Sequence, residues 1–393
     1  MKINYRYAII ATVIVFGLAL ASAAGFYFGK TKTAAVGNIN ETNNAAKVAE
    51  NESGVAAIDS EIKAASTEES PAAAPTSTLP QNDPAKPAIT ATTTDEISSE
   101  NIERFVVAIG ANDIDKVAAD LLGQGFIGEP ESFKKLINPS ILAFAPGGYR
   151  LSKTMPAAVV AKTLQSKPYM VWIIVPEGLR KEETADLLAN DLEWTIDQKE
   201  KWIKEDTAAD NDYFEGVYFP DTYLIPVNEA PVDVAKRLIA KFNEKFAPYL
   251  PEFSRQNIKW TTGLKLASII QREAVNAADM PLIAGILWNR VEQGMTLDAD
   301  ATLQYARGNT GNGWWAPAAA KDKQIDSPYN TYANKGLPPH PICSPGISAI
   351  EATLNPVQTD CLYYLHDSSR ATHCAKTYEE HLENIQKYLK NQN

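Results

Sequence analysis

The chain has 393 residues, 45% of them hydrophobic, and a formal net charge of −11. That length accommodates one large or two modest globular domains. The acidic balance excludes a nucleic-acid partner, because nothing supplies a basic face to displace phosphate counterions.

Residues 8–28 hold no charged side chain, and at about 1.5 Å of rise per residue they cover a hydrocarbon core of about 30 Å. They predict one transmembrane helix after a short cytoplasmic segment, residues 1–7. A cleaved signal peptide ending near Ala21-Ser22-Ala23 is the alternative. Lys2 and Arg6 on one side nearly balance Lys30 and Lys32 on the other, so the flanking charges do not fix the orientation. Residues 29–100 read as a disordered acidic linker. From residue 31 to 100 there is no Phe, Trp or Tyr, and eleven acids face four lysines. A flexible coil of that length has an end-to-end distance of about 45 Å.

From residue 101 aromatic and aliphatic residues recur in periodic patterns. A strand from Phe105, a turn at Gly110-Ala111-Asn112 and a helix with Val117, Ala118, Leu121 and Leu122 on one side come first. Residues 171–192 repeat that order, with a turn at Pro176-Glu177-Gly178 and a helix carrying Leu187, Leu188 and Leu192. A related pair of modules and two unrelated βα units of one α+β domain both fit. Between them, Pro139 stops a helical stretch through Phe133–Ile137, and Pro146-Gly147-Gly148-Tyr149 predicts a turn before another strand. Later segments read as helices over 231–246, over 264–275, and from an Asp279 N-cap to a stop at Gly294.

Two acids stand out. Tyr213–Pro226 gathers five aromatic residues around Glu215, which is followed at once by Gly216. A carboxyl group held against aromatic rings loses hydration in its charged form, so its pKa rises and it becomes able to protonate a poor leaving group such as a glycosidic oxygen. An aromatic core strand with Glu215 turned to solvent is the alternative reading. Asp221, after Pro220, reads as a turn or cap. Glu273 follows Leu266, Ile269 and Ile270 at helical spacing, which puts it on an apolar face, where it requires a partner such as Arg290 or takes part in substrate binding. Residues 329–346, with four prolines, predict a rigid cleft wall, and Trp314-Trp315 are either core anchors or sugar-stacking platforms. The three cysteines, Cys343, Cys361 and Cys374, lie with all four histidines in the last 54 residues. No metal-ligand spacing accompanies them, so no metal site is expected. Unpaired buried thiols are the primary expectation, with one bridge as the alternative.

The segments Glu215-Gly216-Val217-Tyr218-Phe219-Pro220-Asp221-Thr222-Tyr223, Leu266-Ala267-Ser268-Ile269-Ile270-Gln271-Arg272-Glu273, Asn289-Arg290, Asp300-Ala301-Thr302-Leu303-Gln304-Tyr305, Tyr329-Asn330-Thr331-Tyr332 and Gly336-Leu337-Pro338-Pro339 occur in this order. Together with Val175-Pro176-Glu177-Gly178 and Ala375-Lys376-Thr377-Tyr378 they resemble the MltG-type (YceG-like) endolytic murein transglycosylases over residues 102–390. Where that family carries an aromatic in a C-terminal His-x-Phe-like strand, this chain has Thr372-His373-Cys374. The resemblance implies an α+β architecture: a membrane anchor, a LysM-like subdomain over 101–145 and a mixed α+β catalytic domain over 146–393. It implies Glu215 as general acid/base, with Tyr218, Asp221, Glu273, Asn330 and Tyr332 as substrate-binding residues. The implied reaction cuts peptidoglycan glycan strands to 1,6-anhydro ends, outside the bacterial cytoplasmic (inner) membrane, with no cofactor; a peptidoglycan synthase is a candidate partner. A hydrolytic muramidase using Glu273 or Asp221 as second carboxylate, and a non-catalytic peptidoglycan-binding protein, are the alternatives.

Overall fold

Phe105 and Val107 are buried and alternate with the exposed Arg104 and half-buried Val106 along the first strand, β1 (Glu103–Val107), so one face of it is apolar from the start. The computed structural model describes residues 101–207 and 215–390. The expected membrane helix over 8–28, the linker over 29–100, and Tyr213 and Phe214 lie outside the described residues. Among the described residues no helix is long and apolar enough to cross a membrane. After β1 come α1 (Ile114–Gly123), α2 (Pro130–Lys134), β2 (Gly147–Leu151), α3 (Ala157–Leu164) and β3 (Met170–Ile174). Next are α4 (Lys181–Asp191), α5 (Ile196–Lys201), β4 (Thr222–Pro226), α6 (Pro231–Phe246) and α7 (Leu250–Arg255). The chain continues with α8 (Trp260–Glu273), α9 (Met280–Glu292), α10 (Asp300–Arg307) and α11 (Ile347–Leu354). It closes with β5 (Tyr363–His366), β6 (Thr372–Ala375) and α12 (Tyr378–Ile385), so the fold is mixed α+β.

Strands β1 to β4 form one antiparallel sheet in sequence order. Its pairing is uneven. β1 with β2 and β3 with β4 each match five residue pairs, whereas β2 meets β3 only at Gly148 opposite Met170. The two ribbons thus share a single backbone pairing, supplemented by the Trp172 indole N–H donating to the Val107 carbonyl at 3.0 Å, and each carries its own core. The smaller core holds Phe105, Val117, Leu121 and Phe133 and continues to Val160 and Leu164. It therefore runs past residue 145, because β1 is hydrogen-bonded to β2 and α3 packs on the same side. The larger core extends from Ile173 through Leu238, Leu266 and Ile283 to Leu354. Within it Phe242, Phe246, Phe253 and Trp260 pack ring on ring at centroid distances of 4.9–5.7 Å. The two strand-turn-helix units, β1 with α1 and β3 with α4, share the sheet but serve different cores.

Three sequence expectations change in detail. Gly147 and Gly148 are not a turn but the first residues of β2, and the reason is steric. A Cβ on Gly147 would lie 2.4 Å from the Met170 carbonyl oxygen, so only glycine lets the ribbons approach where β2 pairs with β3. Helix α8 begins at Trp260, four residues before the expected start, and ends at Glu273. Cys361 and Cys374 form a disulfide, while Cys343 is a free buried thiol. The expectation of three unpaired thiols fails because the β5–β6 register sets Tyr363 opposite Ala375 and Tyr364 opposite Cys374, which carries Cys361 to its partner. His373 faces Asp367 at 2.7 Å, and its ring stacks on Tyr388 at 3.5 Å. Among the described residues no group of three or more His, Cys, Asp or Glu side chains is placed to hold a metal ion.

Gly147→Ala should destabilise the protein by about 1–3 kcal/mol, as an overpacked site does. Gly123→Ala, at a helix end where an added Cβ meets nothing within 4 Å, should be neutral or slightly stabilising. Denaturant unfolding of the two variants checks this contrast, and equal midpoints would contradict it.

Candidate active site

Helix α4 begins at a residue that cannot cap it in the ordinary way. Its N-cap is Arg180, whose side chain has no acceptor. The first helical N–H, that of Lys181, instead donates to the carboxyl group of Glu215, at 3.1 Å to Oε1 and 3.3 Å to Oε2. The Gly216 N–H adds 3.2 Å to Oε1, and the Tyr305 hydroxyl on α10 reaches Oε2 at 3.3 Å. Glu215 itself is fully buried. The chain turns at Gly216 with φ of 88°, and a Cβ there would lie 2.7 Å from Pro341, so the proline-rich segment presses directly on this glycine.

Opposing forces act on that carboxyl group. Burial disfavours the anion, and the nearby Glu182 carboxylate repels it; the Lys181 N–H, the Arg180 guanidinium and the Gly216 N–H stabilise it. Burial wins, and the pKa is pushed up to about 8. Arg180 is not free to neutralise Glu215 because it is committed elsewhere. Its Nε donates to Glu182 at 2.6 Å and its Nη2 at 3.1 Å, while Nη1 donates to the Tyr305 carbonyl at 3.2 Å. Burial and the Glu215 charge hold the Tyr305 hydroxyl well above its ordinary range, so it remains a donor.

The segment 329–346 is bolted to its surroundings, as a wall should be. Ser344 N–H donates to the Leu179 carbonyl and Gly178 N–H to the Ser344 carbonyl, both at 2.9 Å, next to the start of α4. Ile342 N–H reaches Ser268 Oγ at 3.0 Å and Gly346 N–H reaches Gln271 Oε1 at 2.9 Å, both on α8.

A second cluster surrounds Glu273. It accepts from the Tyr364 hydroxyl at 2.8 Å and the Ala301 N–H at 3.2 Å, at the first turn of α10. Burial raises its pKa against those two donors. Arg290, the partner expected from the sequence, turns instead to Asp298 at 2.9 Å and to the carbonyls of Thr296, Leu297 and Leu362. Glu273, Asp300, Tyr332 and Tyr364 line a cavity of about 380 Å³ that does not include Glu215. Helix α10 connects the two acids: its first turn binds Glu273, and Tyr305, about 6 Å further along the axis, binds Glu215.

The other expected binding residues fare unevenly. Tyr332 does line the Glu273 cavity and donates to Asp300 at 2.8 Å. Tyr218 is a core residue rather than a contact surface: it is fully buried, packs on Trp202 at 5.1 Å and donates to the Thr207 carbonyl. Asn330 is likewise buried, its amide holding the carbonyls of Lys323 and Ile325 and its Oδ1 taking the Tyr332 N–H, so it organises its own loop. Asp221 binds the N–H of Thr222 at the start of β4. Sequence reasoning passed over Arg180, Glu182 and the role of Tyr305. The signal for the first two was four consecutive charges, Arg180-Lys181-Glu182-Glu183, one residue beyond the turn at Gly178.

Fold and site together are those of an α+β protein with one buried, protonatable carboxyl group at a helix N-terminus, a second acid one short helix away and a rigid proline wall. Residues 106–387 match the YceG-like family, and the chain belongs to that family. It is similar to an endolytic murein transglycosylase of Bacillus subtilis, with 32% identity over 64% of this chain and 74% of that protein. An endolytic murein transglycosylase of Streptococcus pneumoniae strain D39 is 28% identical over 62% of this chain, which spans 50% of that longer protein. The crystal structure of a YceG-like protein from Listeria monocytogenes superposes with a TM-score of 0.52 at 26% identity, covering 72% of this chain and 99% of that one.

Burial of Glu215 carries a stability signature. Its carboxyl group titrates near 8 in the fold and near 4 when unfolded. Between those values the native state binds the extra proton, so stability is highest below the unfolded pKa and falls as pH rises toward 8. Glu215→Gln removes this slope, and relative to the parent the variant should gain at most roughly 1.4 kcal/mol per pH unit between pH 5 and 8. Melting both proteins at the two pH values checks it; a gap independent of pH would count against a buried, protonated Glu215.

Proposed function

We propose that this chain is an endolytic murein transglycosylase that cuts the glycan strands of peptidoglycan, with Glu215 as its general acid/base. The carrying observation is a single fully buried carboxyl group whose pKa is pushed up to about 8 while its surroundings still offer N–H donors to the anion. Such a group is protonated before reaction and tolerable as an anion after it. Family membership and the names of the similar proteins support the substrate and reaction class.

The chemistry needs only one acid. Protonated Glu215 gives its proton to the glycosidic oxygen as the bond from C1 of MurNAc to that oxygen breaks. The two amide donors favour Oε1, so Oε2, beside the Tyr305 hydroxyl, is the oxygen suited to carry the proton. The resulting carboxylate then takes the proton from the 6-hydroxyl of the same MurNAc while O6 bonds to C1, leaving a 1,6-anhydro end and a regenerated acid. No water enters, in contrast to hydrolysis by a carboxylate pair. Glu273 binds Tyr364 and α10 rather than facing Glu215, and that favours the one-acid route over the hydrolytic alternative.

Glu215→Gln should keep the fold and lower the release of anhydro-muropeptides by about 10²–10⁴-fold, read by mass spectrometry of digested sacculi. Parent activity should fall as pH rises through about 8, because the acid form is lost. Reducing ends in the parent digest would instead identify a muramidase, and near-parental anhydro product from Glu215→Gln would remove Glu215 from the mechanism.

We further infer that residues 8–28 anchor the chain in the cytoplasmic membrane, with the amino terminus in the cytoplasm and residues 31–393 outside, where the substrate lies. A cysteine introduced by Ser98→Cys should react with an impermeant reagent on spheroplasts. Protection of that cysteine would overturn this topology.

A further inference from the structure

Tryptophans 314 and 315 lie in a loop between α10 and residue 320 that the mechanism above does not use. Both are only partly buried: Trp315 packs against the edge of the larger core, whereas Trp314 follows the exposed Gly311–Gly313 and is not part of that core. The loop is nevertheless fixed. It departs through glycines at positive φ, Gly308, Gly311 and Gly313, and Arg307 gathers it by binding the carbonyls of Ala316 and Pro317 and the carboxylate of Asp322. Trp315 acts as an anchor, its indole N–H donating to Glu183 at 2.7 Å and its ring lying 3.9 Å from the Arg272 guanidinium.

Trp314 has a different setting. The Arg180 guanidinium lies 4.4 Å from its ring and 4.2 Å from the ring of Tyr305. Tyr305 in turn donates to Glu215. A stack thus runs from the buried acid outward through Tyr305 and Arg180 to a half-buried indole. A cation over a ring fixes its tilt, and a ring fixed before binding loses little entropy when a ligand lands on it. Arg180 is already paired with Glu182, so this end of the stack has no free charge to attract an ionic ligand. What remains is a flat, electron-rich, preorganised surface beside an acid that acts on a glycosidic oxygen.

We propose that Trp314 is a stacking platform for a pyranose ring of a β-1,4-linked amino-sugar chain, in the binding position next to the one cut at Glu215, with Trp315 as the anchor of its loop. The inference rests on the glycan-cleaving function proposed above and adds a specific ligand contact to it. The C–H face of the sugar lies on the indole, its hydroxyl and N-acetyl groups stay toward solvent, and the strand is held so that its next linkage reaches Oε2 of Glu215. Remote binding of this kind tightens substrate capture without entering the proton transfers.

The test uses the full chain and two readouts. Binding of hexa-N-acetylchitohexaose, an uncharged β-1,4 chain of N-acetylglucosamine, is titrated calorimetrically against the Glu215→Gln protein with and without Trp314→Ala. Release of anhydro ends from purified glycan strands is followed in proteins that retain Glu215. Trp314→Ala should weaken hexamer binding at least tenfold and raise KM by a similar factor, with kcat and the alkaline limb of the pH profile unchanged. Trp314→Phe, which keeps a flat ring, should stay within about threefold of the parent in binding. If Trp314→Ala lowers the melting midpoint, Trp314→Leu provides apolar bulk over Arg180 without a flat face and should bind as weakly. Parental binding by the Ala and Leu variants, or no binding of the hexamer by the protein without Trp314→Ala, overturns the proposal. So does a fall in kcat with a displaced pH limb at unchanged affinity, which would make Trp314 a support for Arg180. A parent protein that binds the hexamer through Trp314 but releases no anhydro ends leaves the platform standing and overturns the transglycosylase reading instead.

Discussion

A carboxyl group removed from water must either keep its proton or find donors, and Glu215 is arranged for both. The donors come from three distant parts of the chain: Lys181 at the head of α4, Gly216 beside the acid, and Tyr305 on α10. Much of the larger unit reads as a device for bringing these together. α4 has to begin where it does so that its first orphan N–H points at Glu215. Gly216 has to lack a Cβ because Pro341 occupies that space. The proline segment has to be rigid because it clamps both α8 and the turn ahead of α4.

Charge is distributed with the same economy. Arg180 would depress the pKa of Glu215 if left unpaired, yet Glu182 takes its guanidinium on two nitrogens and places a negative charge near the acid. Burial and the Arg180–Glu182 pair together leave the carboxyl group neutral below about pH 8, while the helix N-terminus keeps its anion from being prohibitive. Glu273, only partly buried, shows how differently an acid in apolar surroundings can be used. It accepts from Tyr364 on the C-terminal hairpin and from the first turn of α10, tying those elements to the end of α8. The disulfide between Cys361 and Cys374 closes the same hairpin that presents Tyr364.

The division of the chain into a small unit and a larger one follows from the sheet. β2 and β3 share one register pair, Gly148 with Met170, so the β1–β2 ribbon builds a core with α1 and α3 while the β3–β4 ribbon builds another with the long helices. The Glu215 site belongs wholly to the larger ribbon and its helices.

Local pattern alone identified the helices with strong apolar periodicity, α6 above all, and flagged Glu215 and Glu273 as acids in apolar surroundings, because those signals lie within a few residues of each other. It also supplied the ordered motifs that pointed to the family. Pairings between remote segments were not legible. Nothing near Cys361 announces Cys374, nothing near Lys181 announces Glu215, and Tyr218 and Asn330 look like contact residues until their side chains are seen turned into the core and into their own loop. The sequence by itself determined which residue types stand beside the acid and which stretches are helical, since both depend on short-range spacing. Only the tertiary structure decided that Glu215 is fully dry, that Arg180 is held by Glu182, and that Glu273 serves a separate cavity, because burial and hydrogen-bond partnership depend on segments far apart in sequence that meet only when the cores close.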